Sequence, residues 1–236
     1  MVLRCLGTGS SGNCYLLSAE AETLILDCGL PIREIKKGLD WDISKVVGVC
    51  VTHQHLDHAK AVKDFENMGI RTVKFYEIED WNDERMKYYC VGFGDFIVKP
   101  FPLPHNGTIN YGFYIMHRKT DDKILYLTDF EYCKYNFKSL QVNHIICECN
   151  YQQELVSRDL ANYEHKIRGH CSLETCKSFI AANKTNALRT VILCHMGAET
   201  LDFSVAKEQV QEVVGNSVKV EFATAGLETK LSLTPF

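Results

Sequence analysis

Four metal-binding side chains lie within six positions at the end of a predicted buried strand. Directly after the apolar residues 46–51 and Thr52 comes the segment His53-Gln54-His55-Leu56-Asp57-His58. Residues two apart in an extended segment point to the same side, so His53 and His55 can bind one ion. If the chain then enters a helix, Asp57 and His58 in its first turn can face a second ion. A polar loop that happens to be rich in histidine is the alternative, but the chain has only 9 histidines in 236 residues. We interpret the segment as a dinuclear metal site.

The bulk composition is that of one globular domain. We expect a single domain over residues 1–236, because the length suits one large domain and no segment has the composition of a linker. Hydrophobic residues make up 46% and charged residues 24%, as in globular proteins with a large core. No apolar stretch has the length of a membrane span, and the chain opens on strand-like sequence, which argues against a signal peptide. The 11 cysteines, an odd number mostly inside apolar runs, favour reduced core thiols and a cytoplasmic location.

Short predicted strands alternate with predicted helices along the chain. Strands are predicted at 2–6, 14–17, 23–26, 46–51, 96–101, 112–117, 124–127, 144–147, 190–194, 218–222 and 229–233. Helices are predicted at 31–37, 59–68, 172–182 and 204–214. Pro31 opens the first of these helices, and Gly38 and Gly69 end the first two. The apolar strand before His195 repeats the arrangement before His53. Two such strands indicate two β-sheets that meet at the metals, with helices on the outside.

A glycine-rich segment near the N-terminus satisfies the dinucleotide-binding pattern literally. It reads Gly7-Thr8-Gly9-Ser10-Ser11-Gly12, and Asp27 lies about where a ribose-binding carboxylate would. That pattern requires a helix directly after the glycines, whereas residues 13–17 are strand-like. We therefore predict a glycine-rich hairpin turn near the site and no nucleotide-binding loop.

Three further polar residues each end an apolar, strand-like run. They are His105, Asp129 and His195. Taken singly, each has another explanation, because the two histidines could lie on the surface or in the core and Asp129 could cap a helix. Two ions need more than four ligands, however. The joint order of these residues with the 53–58 segment favours metal binding.

The combined order, His-x-His-x-Asp-His followed by His, Asp and His, resembles the metallo-β-lactamase superfamily over essentially the whole chain. This resemblance implies an α/β fold, an αββα sandwich of two mixed β-sheets flanked by helices. The chain is similar to the hydrolytic branch only, because the di-iron oxygen-reducing branch usually carries a glutamate where His55 stands. Asp27 looks like the family's early aspartate, which supports the ligands from behind.

The resemblance also implies which side chains would hold each ion. The first ion would be held by His53, His55 and His105, and the second by Asp57, His58 and His195, with Asp129 bridging the two. We therefore expect two divalent metal ions per chain. A ligand set of histidine and aspartate alone suits zinc, with manganese or iron as alternatives.

Two elements of the C-terminal half resemble phosphodiesterase members of the superfamily. Glu148 follows a strand, and His170 lies in the run Arg168-Gly169-His170-Cys171-Ser172 ahead of a helix. They are similar to an acid and a Gly-His-Ser element of ribonuclease Z and the YycJ-like DNA exonucleases. Cleavage of a P–O bond requires protonation of the leaving oxygen, and His170, oriented by Glu148, is the candidate donor. The candidate catalytic residues are therefore Glu148 and His170, together with the metal ligand Asp57. The alternative is an ordinary strand-end carboxylate and an incidental histidine near a helix cap.

Other segments match the family's pattern unevenly. Residues 9–14 look most like the YycJ-like group. Ala61 stands where a glycine usually follows the first motif, and Leu173 and Glu174 replace an asparagine often found after the Gly-His-Ser element. No glycine- and lysine-rich insertion resembles the tRNA-gripping arm of ribonuclease Z, which argues against tRNA processing.

These features favour a dinuclear-metal phosphodiesterase, a nuclease resembling single-stranded DNA exonucleases. A cyclic-nucleotide phosphodiesterase is the alternative, because phage-encoded enzymes of that kind share the same core. A thioesterase or lactonase of this fold, or a metal-bound module without turnover, are further alternatives. The partner would be a nucleic-acid end or a cyclic nucleotide, with no membrane partner, and a homodimer is an open alternative to a monomer. A formal charge of −4 argues mildly against a large nucleic-acid footprint but leaves room for a basic rim, such as Lys134, Lys138, Lys166 and Arg168.

Overall fold

Two mixed β-sheets lie at the centre of the molecule. The computed structural model describes residues 1–78, 89–159 and 162–231. Within these ranges the first sheet runs in the order β13-β1-β2-β3-β4-β5, made of β1 (Val2–Gly7), β2 (Cys14–Ala19), β3 (Glu22–Leu26), β4 (Val46–Val51), β5 (Thr72–Lys74) and β13 (Glu228–Lys230). The second runs in the order β12-β11-β10-β9-β8-β7-β6, made of β6 (Val91–Phe93), β7 (Phe96–His105), β8 (Thr108–His117), β9 (Lys123–Leu127), β10 (His144–Glu148), β11 (Thr190–Cys194) and β12 (Lys219–Phe222).

Helices cover the outer face of each sheet. They are α1 (Ile32–Gly38), α2 (Leu56–Ala59), α3 (Val62–Asn67), α4 (Tyr163–Gly169), α5 (Leu173–Asn183) and α6 (Phe203–Val214). Buried side chains of α1 and α3, such as Ile35 and Phe65, pack on the first sheet. Those of α5 and α6, such as Ile180 and Val210, pack on the second. The predicted αββα sandwich of two mixed sheets is therefore confirmed.

The core between the sheets is apolar and contains large rings. Leu24 of the first sheet and Phe113 and Tyr126 of the second belong to one buried cluster. Burying a side chain of this size typically stabilises a fold by about 1.5–3 kcal/mol. The two sheets are thus held in a fixed relation, which fixes the positions of the loops at their shared edge.

Parallel pairing brings the polar strand ends together. β3, β4 and β5 are parallel neighbours in the first sheet, and β9, β10, β11 and β12 are parallel neighbours in the second. Carboxyl ends of parallel strands lie at the same edge of a sheet, so the residues that follow β4, β9, β10 and β11 meet there.

The predicted helix at 59–68 is wrong in its bounds, because two short helices replace it. α2 begins at Leu56, inside the histidine segment, and α3 begins only at Val62. The chain turns between them because its backbone bonds to the loop after β3: Cys28 N donates to His58 O, and Ala61 N donates to Cys28 O. A Cβ at Gly29 would lie 1.7 Å from the Asp57 carbonyl oxygen, so this close approach requires glycine.

Other differences from the predicted elements follow from tertiary contacts. β5, β6 and α4 are short elements that the sequence pattern did not predict. β7 is longer than predicted and includes Pro100, Pro102 and Pro104, which is possible because β6 pairs with β7 only as far as Val98. The predicted strand at 229–233 is β13, and residues 232–236 lie outside the described part of the chain. No helix in the described ranges combines the length and apolarity needed to cross a membrane.

Candidate metal centre

Every predicted ligand lies at the end of a strand or in the first turn of a helix. His53 and His55 follow β4, and Asp57 and His58 lie in α2. His105 is the last residue of β7, Asp129 follows β9 and His195 follows β11, and together these residues surround one edge of the two sheets. The predicted glycine-rich turn, residues 8–13 between β1 and β2, lies beside them.

One group of side chains contains the three histidines assigned to the first ion. His53 Nε2 lies 3.0 Å from His55 Nδ1, and His105 Nε2 lies 3.3 Å from the same His55 nitrogen. Asp129 Oδ2 is 3.4 Å from His53 Nε2. These four side chains form one group whose ligand atoms could hold a metal ion.

The side chains predicted for the second ion lie in two adjoining groups. His58 Nε2 is 3.5 Å from Asp57 Oδ2 and 3.1 Å from Asp129 Oδ2. His195 contacts the other oxygen of Asp129 through Nδ1 and shares a group with Glu148 and His170. Asp129 is thus common to these three groups, with His195 at its Oδ1 and His58 at its Oδ2.

Hydrogen bonds behind the histidines decide which ring nitrogen faces the centre. His105 Nδ1 donates to the Gly169 carbonyl at 2.7 Å, and His58 Nδ1 donates to Asp27 Oδ2 at 2.8 Å. His53 Nδ1 lies 3.0 Å from the Thr52 hydroxyl, which in turn donates to Asp27. With Nδ1 occupied as a donor, the Nε2 lone pair of each ring is directed to the cluster.

Asp27 is the buried acceptor that joins these contacts. Its carboxylate is fully buried and also accepts from the Thr52 amide at 2.8 Å and the Tyr126 hydroxyl at 2.7 Å. Tyr126 belongs to the second sheet, so this bond ties the two sheets together directly beneath the ligands. This geometry agrees with the role that the family resemblance implies for Asp27, which is to support the ligands from behind.

The electrostatics of the cluster suit a divalent cation. Burial, together with the neighbouring His58, holds the pKa of His53 well below its ordinary value, and burial lowers the pKa of His105. Both rings are therefore neutral near pH 7 and keep a free lone pair. Burial alone would raise the pKa of Asp129, but His195 and His58 hold it well below its ordinary value. Burial alone would lower the pKa of His58 as well, but Asp129 and Asp27 hold it well above its ordinary value, so binding of a metal ion there would release a proton.

Three residues of the site adopt left-handed backbone conformations. The φ angles are +56° at Asp27, +53° at Asp129 and +47° at His195. Such conformations typically cost about 1–3 kcal/mol at non-glycine residues and cluster at functional sites. Asn110 holds one of them, because its side-chain amide donates to the carbonyl oxygens of Thr128 and Asp129. Sequence reasoning missed Asn110, since a lone polar residue in a strand gives no signal of this role.

Glu148 and His170 form a hydrogen-bonded pair next to the cluster. Glu148 Oε1 lies 2.7 Å from His170 Nδ1, and its other oxygen accepts from the amides of Phe130 and Cys171. Glu148 is fully buried, and the His170 ring centre lies 5.1 Å from that of His195. Burial alone would lower the pKa of His170, but Glu148 raises it above the ordinary value.

The whole arrangement opens into a cavity of about 540 Å³. Its walls include the glycine-rich turn, the start of α4 and the loop after β11. Lys166 of α4 donates to Asn150 Oδ1 at 2.7 Å and to Thr200 Oγ1 at 3.0 Å, which places its ammonium group in the wall. Lys166 belongs to the basic rim expected from the sequence. His165, Asn150 and Thr8 also line the cavity, and the sequence pattern did not single them out.

Asn13 brings the glycine-rich turn into contact with a predicted ligand. Its amide nitrogen lies 2.9 Å from His58 Nε2 and donates to Gly9 O, while Gly9 N donates back to Asn13 Oδ1. The turn contains Gly9 at φ +86° and Gly12 at φ +137°, conformations that favour glycine. The glycines of the apparent dinucleotide motif therefore shape a turn at the metal centre.

Comparisons with known proteins agree with this fold and site. A family model described as the metallo-beta-lactamase superfamily matches residues 7–119. The chain is 24% identical over 262 residues to exodeoxyribonuclease YycJ of Bacillus anthracis, covering 96% of each chain.

Two solved structures share the fold at low sequence identity. The metallo-beta-lactamase fold protein YhfI from Bacillus subtilis is 16% identical with a TM-score of 0.69, and the match covers 97% of this chain and 98% of that one. The short form of human tRNase Z is 15% identical with a TM-score of 0.63, and the match covers 98% of this chain and 100% of that one. The αββα sandwich and these similarities show that the chain has the metallo-β-lactamase fold, and the model of that superfamily matches its N-terminal half, which contains the 53–58 segment and His105.

Proposed function

We propose that the protein is a dinuclear-metal phosphodiesterase that removes nucleotides from the ends of single-stranded DNA. The observation that carries this proposal is the Glu148–His170 pair, with Nδ1 of His170 2.7 Å from the carboxylate and the ring beside the metal centre. Similarity to an exodeoxyribonuclease over nearly the whole chain supports DNA as the substrate.

The proposed roles follow the geometry of the groups. His53, His55 and His105 would hold one ion, while Asp57, His58 and His195 would hold the other, and Asp129 would bridge them. For His195 this requires its ring to turn from the Asp129 contact toward His58, whose ring centre is 5.9 Å away. Two bound divalent ions, zinc by preference, would lower the pKa of a shared water and neutralise the phosphoryl oxygens.

The chain's own residues would position the substrate and move the proton. His170, whose pKa Glu148 raises, would donate from Nε2 to the leaving oxygen of the scissile bond. Glu148, buried and held by two backbone amides, would keep the imidazole in the required orientation. Lys166, anchored by Asn150 and Thr200, would place a positive charge in the cavity wall for a phosphate.

A cyclic-nucleotide phosphodiesterase is the second candidate. A cavity of about 540 Å³ is within the range that encloses a small ligand, and the formal charge of −4 is unusual for a DNA-binding surface. A thioesterase or a lactonase would have less use for an acid that protonates a poor leaving group. The cytoplasmic location, the single domain over 1–236 and the monomer–homodimer alternative stay predictions.

A substrate panel distinguishes these functions. Purified protein with zinc or manganese would be incubated with end-labelled single-stranded DNA, RNA, 2′,3′- and 3′,5′-cyclic nucleotides, a thioester and a lactone. We expect progressive shortening of the DNA from one end. Faster turnover of a cyclic nucleotide would favour the second candidate, and hydrolysis of the thioester or lactone alone would contradict phosphodiesterase activity.

Metal content is an independent expected result. Seven ligand side chains around one edge of the sheets should retain two ions, so elemental analysis of protein purified without chelator should find close to two equivalents of transition metal per chain. Chelation should abolish activity, and adding zinc or manganese should restore it. A metal content near zero, with no activity gained on adding metal, would refute the metal-centre interpretation.

A further inference from the structure

Two open cavities outside the metal centre lie in line with it along β7. The proximal cavity, about 500 Å³, is lined by residues 104–109 together with Glu131 and Arg168. The distal cavity, about 460 Å³, is lined by residues 99–102 of β7, Tyr114 of β8, residues 135–137, Ser139 and Leu140. Of the predicted metal ligands, His105 lines the proximal cavity, and it also lines the metal-centre cavity. The distal cavity is lined by none of them.

We call these three successive cavities along β7 the track, although Leu103, which lies between Phe101 and His105 on the same face of the strand, is buried in the core. His105, Phe101 and Lys99 are separated by even numbers of residues, so their side chains leave the same face of β7. At about 3.3 Å per residue, Phe101 lies roughly 13 Å and Lys99 roughly 20 Å from His105 along the strand. Residues 131–140 run beside the strand from the proximal to the distal cavity.

The surface of this track combines exposed apolar groups with aromatic rings. Ile109 is 58% exposed at the proximal cavity, Tyr132 is 51% exposed between the cavities and Leu140 is 38% exposed at the distal one. The half-buried Tyr135 lines the distal cavity, and its ring centre lies 5.9 Å from that of Phe101. Rings held by packing in this way offer fixed faces for stacking.

Positive charge is concentrated along the same track although the whole chain is acidic. Lys99, Lys134 and Lys138 are exposed, and Lys134 Nζ lies 5.3 Å from the centre of the Tyr135 ring. Arg168 lies at the proximal cavity, where Glu131 is an acidic neighbour. A row of lysines interleaved with aromatic rings is the combination that binds single-stranded nucleic acids, because phosphates pair with the lysines and bases stack on the rings.

We propose that this track binds the nucleotides that follow the scissile bond of a single-stranded nucleic acid whose end lies in the metal centre. The inference rests on the proposed phosphodiesterase function and selects a polymeric substrate. A cyclic nucleotide would fit inside the metal-centre cavity alone and would leave the track without a role. A second copy of the chain or another protein is the other possible occupant of an apolar groove.

The test separates contacts on the track from chemistry at the metals. Steady-state kinetics of Tyr135→Ala would be measured on a long single-stranded oligonucleotide, a dinucleotide and bis(p-nitrophenyl) phosphate. Loss of one stacked base should raise KM for the long strand about 5- to 150-fold with little change in kcat. KM for the two small substrates should stay at the wild-type value. Tyr135→Phe, which keeps the ring, should behave as wild type on all three.

Charge and control variants complete the comparison. Lys99→Ala and Lys134→Ala should each reduce the salt dependence of strand binding by about 0.7 in the slope of log K against log salt. Trp41→Ala removes an exposed aromatic side chain outside the track, just beyond α1, and should change nothing. Thermal unfolding of each variant would verify that the fold is intact.

Three results would overturn the inference. If Tyr135→Ala binds and cleaves the long strand as wild type does, the track is wrong and the phosphodiesterase proposal stands. If wild-type protein hydrolyses bis(p-nitrophenyl) phosphate but neither binds nor cleaves the long strand, a polymeric substrate is excluded together with the track. If Tyr135→Ala instead changes the oligomeric state measured by light scattering, the face is a protein interface.

Discussion

Replacing Asp129 with alanine is expected to abolish hydrolysis while the chain remains folded. Oδ2 of Asp129 lies 3.4 Å from His53 Nε2 and 3.1 Å from His58 Nε2, and its other oxygen contacts His195. One substitution therefore removes the acceptor shared by every ligand group. The loss in kcat/KM should exceed the roughly 10- to 100-fold that follows removal of an outer partner of a metal ligand. Kinetics with added zinc, together with bound-metal analysis, would measure it.

Two further variants separate this effect from misfolding. Asp129→Asn keeps a residue type that tolerates the left-handed conformation at φ +53° while removing the negative charge, so it should be equally inactive and more stable than the alanine variant. His117→Ala removes another buried histidine, at the end of β8 far from His105, where its Nδ1 accepts from the Thr120 amide. Its activity should be nearly unchanged. Similar activity of the Asp129 and His117 variants would mean that the ligand assignment is wrong.

Replacing His170 with alanine should lower kcat by about 10²- to 10⁴-fold on DNA while both metal equivalents are retained. The expected loss follows from the proposed role, since the leaving oxygen of a nucleotide needs a proton and His170 is held at 2.7 Å by Glu148 to supply it. A nitrophenyl leaving group departs without a proton, so the same variant should lose much less activity on bis(p-nitrophenyl) phosphate. The comparison requires kcat on both substrates and elemental analysis of the variant.

Glu148→Gln should show the same pattern in weaker form. Glutamine can still accept from the amides of Phe130 and Cys171, so the fold should hold, but the negative charge that raises the pKa of His170 is lost. A general acid is active in its protonated form, below its pKa. The alkaline limb of the kcat–pH profile should therefore move to lower pH in this variant. An equal loss on both substrates in His170→Ala would instead assign His170 to substrate binding or to the fold, and the acid role would be withdrawn.

The predicted ligands could be found from sequence because each follows a run of apolar residues. Burial on both faces makes a parallel strand apolar along its length, so the first polar residue after it marks the edge of the sheet. His195 directly follows such a run, whereas His53 and Asp129 follow one after a single threonine, and the structure places both histidines next to Asp129. The glycine-rich segment was also predicted correctly as a turn, because the residues after it have a strand pattern. A dinucleotide site would need a helix there.

The sequence pattern was less informative where tertiary contacts determine the bounds of a helix or strand. The helix predicted at 59–68 breaks because Cys28 N donates to His58 O and Ala61 N donates to Cys28 O, contacts between segments far apart in sequence. α4, which carries His165 and Lys166 into the cavity wall, has too few apolar residues for a recognisable helical period. Proline at positions 100, 102 and 104 hid the second half of β7, because only the unpaired outer edge of the folded sheet accommodates it.

The sequence by itself determined the fold class, through its resemblance to a known family, and it also indicated most of the strands and a candidate set of metal ligands, since these depend on residue type and on spacing along one strand or turn. Only the tertiary structure decided which nitrogen of each histidine faces the centre, because that depends on partners such as the Gly169 carbonyl and Asp27. It also decided the left-handed backbone at Asp129, which Asn110 holds from a neighbouring strand, and the placement of His195 against Asp129 and Glu148. Hydrogen bonds between residues distant in sequence fix these features, and a pattern read along one segment contains no record of them.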